Sequence, residues 1–402
     1  MSRDARLLAI SGFLRAMTTS LTGVLLGLYL GKLEITGPAL GLVISSGLAG
    51  AALAAVVATF LGDLVGRTRL LIALTLLSIG GTLAFAFVGT PWALAIAAFI
   101  GMVNGMGKDR GAALILEQAT LPSTTTDEGR TRTIALYTML QDLGHGAGAA
   151  LVGLTTLLER TTPLRDAEPH RALLVGCAAL SIVSLGLYAA LKTSAPPATA
   201  RPTLTPQSRG ILVKVCALFA LDGLGGGFLT AAMLSYFFFE RFHASPALVA
   251  ALFVGARVMN ALSHLGAAWL AKRIGLVKTM VFTHLPSSLL LASVAFAPSL
   301  EVAAVLFLLR EGLVEMDVPT RQSWVMAVVR PEERTLASGL TNLVRLASWA
   351  IAPAFAGLLM TGDSLYLPLV IGSAMKIAYD LLLWRAFNAV HAPEERQAAS
   401  GK

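Results

Sequence analysis

The sequence predicts an all-α membrane protein of about twelve transmembrane helices, arranged as two pseudo-symmetric six-helix bundles. Three observations predict it. Hydrophobic residues make up 55% of the 402 positions and charged residues only 13%, with a mean hydropathy of +0.73, whereas soluble chains carry roughly a quarter charged residues. The length accommodates about twelve spans of some 20 residues with short loops. Two short, Gly-centred, basic turns, 61–69 and 270–278, interrupt apolar runs about 209 positions apart, which marks an internal duplication. Duplicated helix bundles are how many secondary transporters build a site that opens to either side. Transport is therefore the expected function. No nucleophile and base stand at catalytic spacing, so no catalytic residues are assigned and an enzyme is not expected.

The elements follow in order. Met1 to Arg6 leads into an apolar stretch reaching about Lys32, longer than a signal-peptide core of roughly 7–15 residues, so it is expected to stay as the first span. Further spans are expected near 37–61, 69–89, 91–117, 133–158 and 171–191, then 210–239, 246–271, 278–298, 301–326, 335–360 and 365–389. The Pro-, Thr- and Ala-rich segment 193–209 reads as a cytoplasmic linker between an N-terminal bundle, 1–192, and a C-terminal bundle, 210–402.

Lys and Arg set the orientation. Arg67, Arg69, Arg130, Arg132, Lys272, Arg273, Arg330 and Arg334 share one side with the linker and the termini, against Lys32, Arg160, Arg165, Arg171 and Arg241 on the other. Both termini are thus expected in the cytoplasm. This asymmetry explains the net charge of +8 without nucleic acid. Cys177 and Cys216 fall inside spans and read as buried thiols. Neither a His-Glu-x-x-His motif nor paired-Cys spacing is present, and no metal or other cofactor is expected.

The run Gly62-Asp63 to Gly66-Arg67 resembles the loop signature between the second and third helices of the major facilitator superfamily. Asp63, Gly66 and Arg67 match; Thr59 stands where that family has its first Gly, Leu64 replaces a basic residue, and the last basic residue is displaced to Arg69. The resemblance implies gating by Asp63, Gly66 and Arg67, and a carboxylate near a neighbouring helix N-terminus is a physically reasonable latch. Gly144 to Ala149, with Gly153, is similar to the glycine-rich signature of the superfamily's drug/proton antiporters, with Ala149 in place of its Pro and Val152 in place of one Gly. That likeness implies proton-driven export; plain helix packing is the competing explanation of the same glycines. Uptake of an organic anion, and a non-transporting receptor on the same scaffold, stay open.

Ionisable residues inside the spans carry the chemistry, because each costs about 2.5–3.5 kcal/mol at the centre of a membrane helix unless it meets a partner, water or a ligand. In the superfamily the first helix of each three-helix repeat lines the cavity; here those helices carry Arg15, Lys108-Asp109-Arg110, Asp222, and Arg310-Glu311 with Glu315 and Asp317. Arg15 shares a face with Thr18, Thr19 and Thr22 and is suited to an anionic group. Glu311 and Glu315 lie one turn apart, close enough to resist ionising together. Substrate contacts are therefore expected from Arg15, Asp109, Arg257, Arg310 and Glu315. Proton coupling is expected first from Asp222, whose neighbours Gly223, Gly225, Gly226 and Gly227 leave room for water and motion, then from Glu311, with Asp142 and His145 as further carriers. Lys376 and Asp380, one turn apart, are expected to pair with each other. Pro319 is expected to kink or end the tenth helix. The expected partners are a polar or charged small molecule, protons and the lipid bilayer, for a monomer in the cytoplasmic (inner) membrane of a bacterium.

Overall fold

A computed structural model describes residues 2–125, 130–192, 205–330 and 333–387, and the described residues hold helices and turns without a strand. The twelve expected spans are present as sixteen helices, because four spans are interrupted. Unbroken are α1 (Arg3–Lys32), α2 (Gly37–Val65) and α3 (Arg67–Phe87). The fourth span divides into α4 (Pro91–Gly101) and α5 (Ala112–Thr120), and the fifth into α6 (Arg130–Leu151) and α7 (Leu154–Thr161). The sixth is α8 (Glu168–Ala189). In the second half, α9 (Pro206–Gly227) and α10 (Ala231–Phe242) share the seventh span. Then come α11 (Pro246–Ile274) and α12 (Leu276–Ala295). The tenth span divides into α13 (Leu300–Val314) and α14 (Asp317–Val328), before α15 (Arg334–Leu359) and α16 (Leu367–Phe387).

Among the described residues, nine helices are long and apolar enough to cross a membrane. The spans that fall short are the fourth, fifth and tenth, which carry Lys108 to Arg110, Asp142 with His145, and Arg310 to Asp317. In the fourth and tenth spans charge and irregular backbone coincide, whereas Asp142 and His145 lie within the continuous α6. The expected linker lies outside the described residues as far as position 204, and its last four positions belong to α9, whose Thr205 N-cap accepts from the Ser208 N–H.

Two compact units divide the chain: Met1–Thr199 with Thr230–Val254 and Pro353–Leu365, and Ala200–Leu229 with Gly255–Ala352 and Tyr366–Lys402. In the first unit α1 packs along α6, where a Cβ on Gly144 would meet the Phe13 carbonyl and one on Gly148 the Met17 carbonyl. Helix packing thus accounts for these two members of the glycine-rich run, since small residues let backbones meet where lipid supplies no hydrophobic drive. In the second unit Phe219, Met280, Trp324, Tyr379 and Leu383 form the centre of the apolar core.

The fourth span was expected to be continuous over 91–117; instead the chain leaves the helix at Met102, in the left-handed region with φ 52°, and re-enters at Ala112. Irregular backbone at membrane depth requires internal hydrogen bonds. Asn104 supplies two, its Nδ2 donating to the Lys108 carbonyl at 3.0 Å and its Oδ1 accepting from the Met106 N–H at 2.8 Å. The Ala232 N–H of α10 donates to the Gly105 carbonyl at 3.0 Å. Gly23, Gly47 and Gly81 provide the surfaces on which this segment lies, since a Cβ at any of them would strike backbone atoms of Gly107, Val103 or Gly101.

A candidate site of two buried charge networks

In the first unit Arg15 of α1 forms ion pairs with both Asp109, on the irregular segment, and Glu117 of α5. Glu117 is fully buried, and its two oxygens accept from the Tyr137 and Tyr188 hydroxyls at 2.5 Å each. Gln141 Nε2 donates to the Tyr137 hydroxyl at 3.4 Å. One turn further along α6, His145 Nε2 accepts from the Asp109 N–H at 3.1 Å. Arg15 and Asp109 open onto a pocket of about 120 Å³, whose wall includes Thr75, Ser181, Ser184 and Tyr188. Arg15 was expected to face an anionic group beside hydroxyls. Two carboxylates of the chain already neutralise it. Asp142 is exposed on α6, unlike the half-buried His145.

The second unit inverts the arrangement. Asp222 of α9, 2% exposed, lies 2.9 Å from Lys376 of α16, 2.9 Å from Arg345 of α15 and 3.6 Å from Arg321 of α14. Arg321 also pairs with Asp317, one turn before it. Both guanidinium groups stand over the Phe219 ring, at 5.3 and 6.0 Å, and Arg345 also over Trp349 at 5.1 Å. Aromatic faces favour arginine in such desolvated positions. The expected pairing of Lys376 with Asp380 is not formed. Lys376 turns to Asp222, and Asp380 instead accepts from His284 of α12, whose Nδ1 is 3.0 Å from both carboxylate oxygens.

The glycines after Asp222 serve packing and not water space. A Cβ on Gly223 would lie 2.8 Å from Ser348 Cβ, one on Gly225 3.0 Å from the Gly372 carbonyl, and one on Gly226 3.0 Å from Trp349 Nε1. These contacts draw α15 and α16 close enough for Arg345 and Lys376 to reach Asp222.

The tenth span is not one continuous helix. The helix breaks at Glu315 and Met316, so Arg310 and Asp317 belong to different helices. Arg310 pairs with Glu311. Asn260 Nδ2 of α11 donates to Glu311 Oε2 at 2.6 Å and to its carbonyl at 3.1 Å. Glu311 thus has a cation and an amide as partners, while Glu315, at the helix C-cap, is buried at the break. Pro319 falls in the first turn of α14, where a missing N–H costs nothing. Arg257 is half-buried on α11.

At the basic turn, Gly66 takes φ 99°, a backbone region that favours glycine. Asp63, in the last turn of α2, faces Arg67, the first residue of α3. It accepts from Arg67 Nε at 2.7 Å, and Arg67 Nη1 donates to the Ala119 carbonyl near the end of α5. Arg67 thus ties α3 to Asp63 of α2 and to a carbonyl near the end of α5, the latter in keeping with the sign of a helix C-terminus.

Glu117, His284 and Arg321 were not expected in these networks. Glu117 and Arg321 fall at or near the ends of predicted spans, where charges are ordinary, and His284 has no acid at helical spacing. Counting every titratable group within the spans is the signal that would have found them.

The Major Facilitator Superfamily model matches residues 8–353. The chain is 24% identical over 432 residues to the uncharacterized membrane protein YJR124C of Saccharomyces cerevisiae, covering 98% of this chain and 96% of that one. A crystal structure of the nucleoside transporter NupG superposes with a TM-score of 0.78 at 15% identity, over 96% of this chain and 100% of that one. A crystal structure of a D-xylose-proton symporter gives 0.72 at 15% identity, over 95% and 96%. These structural likenesses show the fold, and the family match shows the lineage: this integral membrane protein belongs to the major facilitator superfamily of transporters.

Proposed function

We propose that the protein is a proton-coupled secondary transporter that moves a polar or charged small molecule across the cytoplasmic membrane of a bacterium by alternating access, acting as a monomer with both termini cytoplasmic. The observation that carries this reading is the pair of charge networks. Each gathers groups that lipid rejects, and each ties together helices from separate spans. Ion pairs of this kind can exchange partners when a proton or a charged solute arrives, which biases a two-state helix arrangement. In the first unit Arg15 and Asp109 offer polar contacts at a pocket that Thr18, Thr19 and Asn104 also line. Arg257, Arg310 and Glu315 are the corresponding candidates in the second half, with Asp222, Glu311, Asp142 and His145 as candidate proton carriers and Asp63, Gly66 and Arg67 at the gate.

Export is the direction read from the glycine-rich run of the fifth span. Uptake is the second reading, favoured by the packing role of Gly144 and Gly148 against α1, which accounts for those glycines without an antiporter motif. Likeness in fold to a D-xylose-proton symporter supports the proton in either direction. The test is flux in proteoliposomes under an imposed pH gradient, screened across charged and polar metabolites and drugs. The parent is expected to concentrate one solute uphill, Asp222→Asn and Glu311→Gln to lose that capacity, and the sign of the gradient to decide direction. Equal uphill accumulation by both neutral variants removes proton coupling from the reading.

A further inference from the structure

We propose that the proton used by the second unit resides on the His284 and Asp380 pair, and that Lys376 relays its arrival to Asp222. The proposal rests on the proton-coupled reading above and names the residues that hold and sense the proton. His284 Nδ1 faces both oxygens of Asp380 at 3.0 Å, while its Nε2 faces Lys376 Nζ at 3.4 Å. An ammonium group can only donate, so Nε2 must be bare, and a carboxylate accepts, so the ring proton is on Nδ1. The geometry thereby specifies one neutral tautomer. It also specifies where an incoming proton must bind.

That proton forms an N–H bond at Nε2 and abolishes the acceptor that Lys376 uses. The Lys376 hydrogen bond to the ring breaks, leaving its 2.9 Å bond to Asp222 as the partner it keeps in this network. Release of the proton restores the first arrangement, with no other bond made or broken. The imidazolium finds its counter-ion in Asp380, whose ion-pair partner among the described residues is His284 alone.

The charge count of the network supports the assignment. Among the described residues, Asp222, Asp317 and Asp380 match Arg321, Arg345 and Lys376 in number, and one added proton raises the charge of the group by one. Of the helices packed on α12, α16 presents Lys376, Tyr379 and Asp380, with the Tyr379 ring edge-on to His284 at 6.0 Å. From α14 come Arg321 and Asp317, which pair with each other, and on α13 Arg310 and Glu311 do the same. Asp222 of α9 is reached through Lys376. Glutamine at 284 could accept and donate as the neutral ring does, but it could not take up a proton.

The experiment has a substrate-free arm and a flux arm. Nitrogen-15 histidine spectra of the purified full-length protein in nanodiscs, assigned by loss of one signal in His284→Gln, are expected to show Nδ1-protonated His284 at high pH. A second protonation is expected on acidification, shifted in its midpoint by Lys376→Gln. In proteoliposomes, His284→Gln is expected to abolish uphill accumulation while solute exchange down its own gradient persists. An Nε2-protonated ring, a ring that stays neutral across the pH range in which the fold survives, or full uphill accumulation by His284→Gln each overturns the proposal. Should that variant not fold, the tautomer and its titration are read in a protein with His284 as its sole histidine. A parent that accumulates no solute overturns the transport reading, whereas the spectra still judge His284.

Discussion

The two units solve the same problem with opposite signs. In the first, one cation, Arg15, is held by two carboxylates, of which Glu117 also accepts from two tyrosines, and borders a pocket on an irregular segment. In the second, one carboxylate, Asp222, is held by three cations within packed helices. The difference teaches that the two units share an interrupted span, α4 with α5 in the first and α13 with α14 in the second, while their charge chemistry differs.

Removing each hub is the sharpest way to break the comparison. Arg15→Met leaves Asp109 and Glu117 without their shared cation, and losing one partner of a buried pair costs about 3–5 kcal/mol. The expected result is the largest fall in melting temperature and in folded yield by fluorescence-detected gel filtration. Asp222→Asn is expected to be nearly as damaging, but the double variant Asp222→Asn, Lys376→Met removes one of the stranded cations and is expected to recover part of the loss. A double variant no more stable than Asp222→Asn would show that Lys376 contributes nothing through Asp222.

Packing is a smaller lever and tests whether the fifth-span glycines are structural. Gly148→Val must push α6 away from the Met17 carbonyl, and overpacking of this kind costs about 1–3 kcal/mol. Gly146→Val has open space around it and is expected to be close to neutral in melting temperature. Equal losses at both positions would remove the distinction.

The smallest effect lies at the loop before α15. Hydrogen bonds from Ser208 and the Thr205 N–H hold the Glu333 carboxyl below the usual carboxylate range. A depressed folded-state pKa contributes stability that is present above the unfolded value of about 4.3 and is lost as pH falls through the folded value. Glu333→Gln is expected to lower the melting temperature slightly at neutral pH, with the gap to the parent closing on acidification. A gap that widens in acid would contradict the assigned hydrogen bonds.

Fold class, span count and family were legible because burial in lipid imposes composition and length on every helix. The basic turn at Asp63 to Arg67 was legible too, since Gly66 and the i,i+4 pair are local features. Arg15, Asp109 and Asp222 were singled out as charges within spans that need partners, but their partners were not. Helical spacing offered Lys376 and Asp380 to each other, and tertiary packing gave them to Asp222 and His284 instead.

By itself, then, the sequence determined that charges had been placed where lipid forbids them, and on which helices. Only the tertiary structure decided which charge meets which, where the fourth and tenth spans unwind, and that Glu117 and His284 complete the networks. The reason is physical: insertion energy is paid residue by residue along the chain, whereas an ion pair depends on a few ångströms between helices whose glycines set the distance.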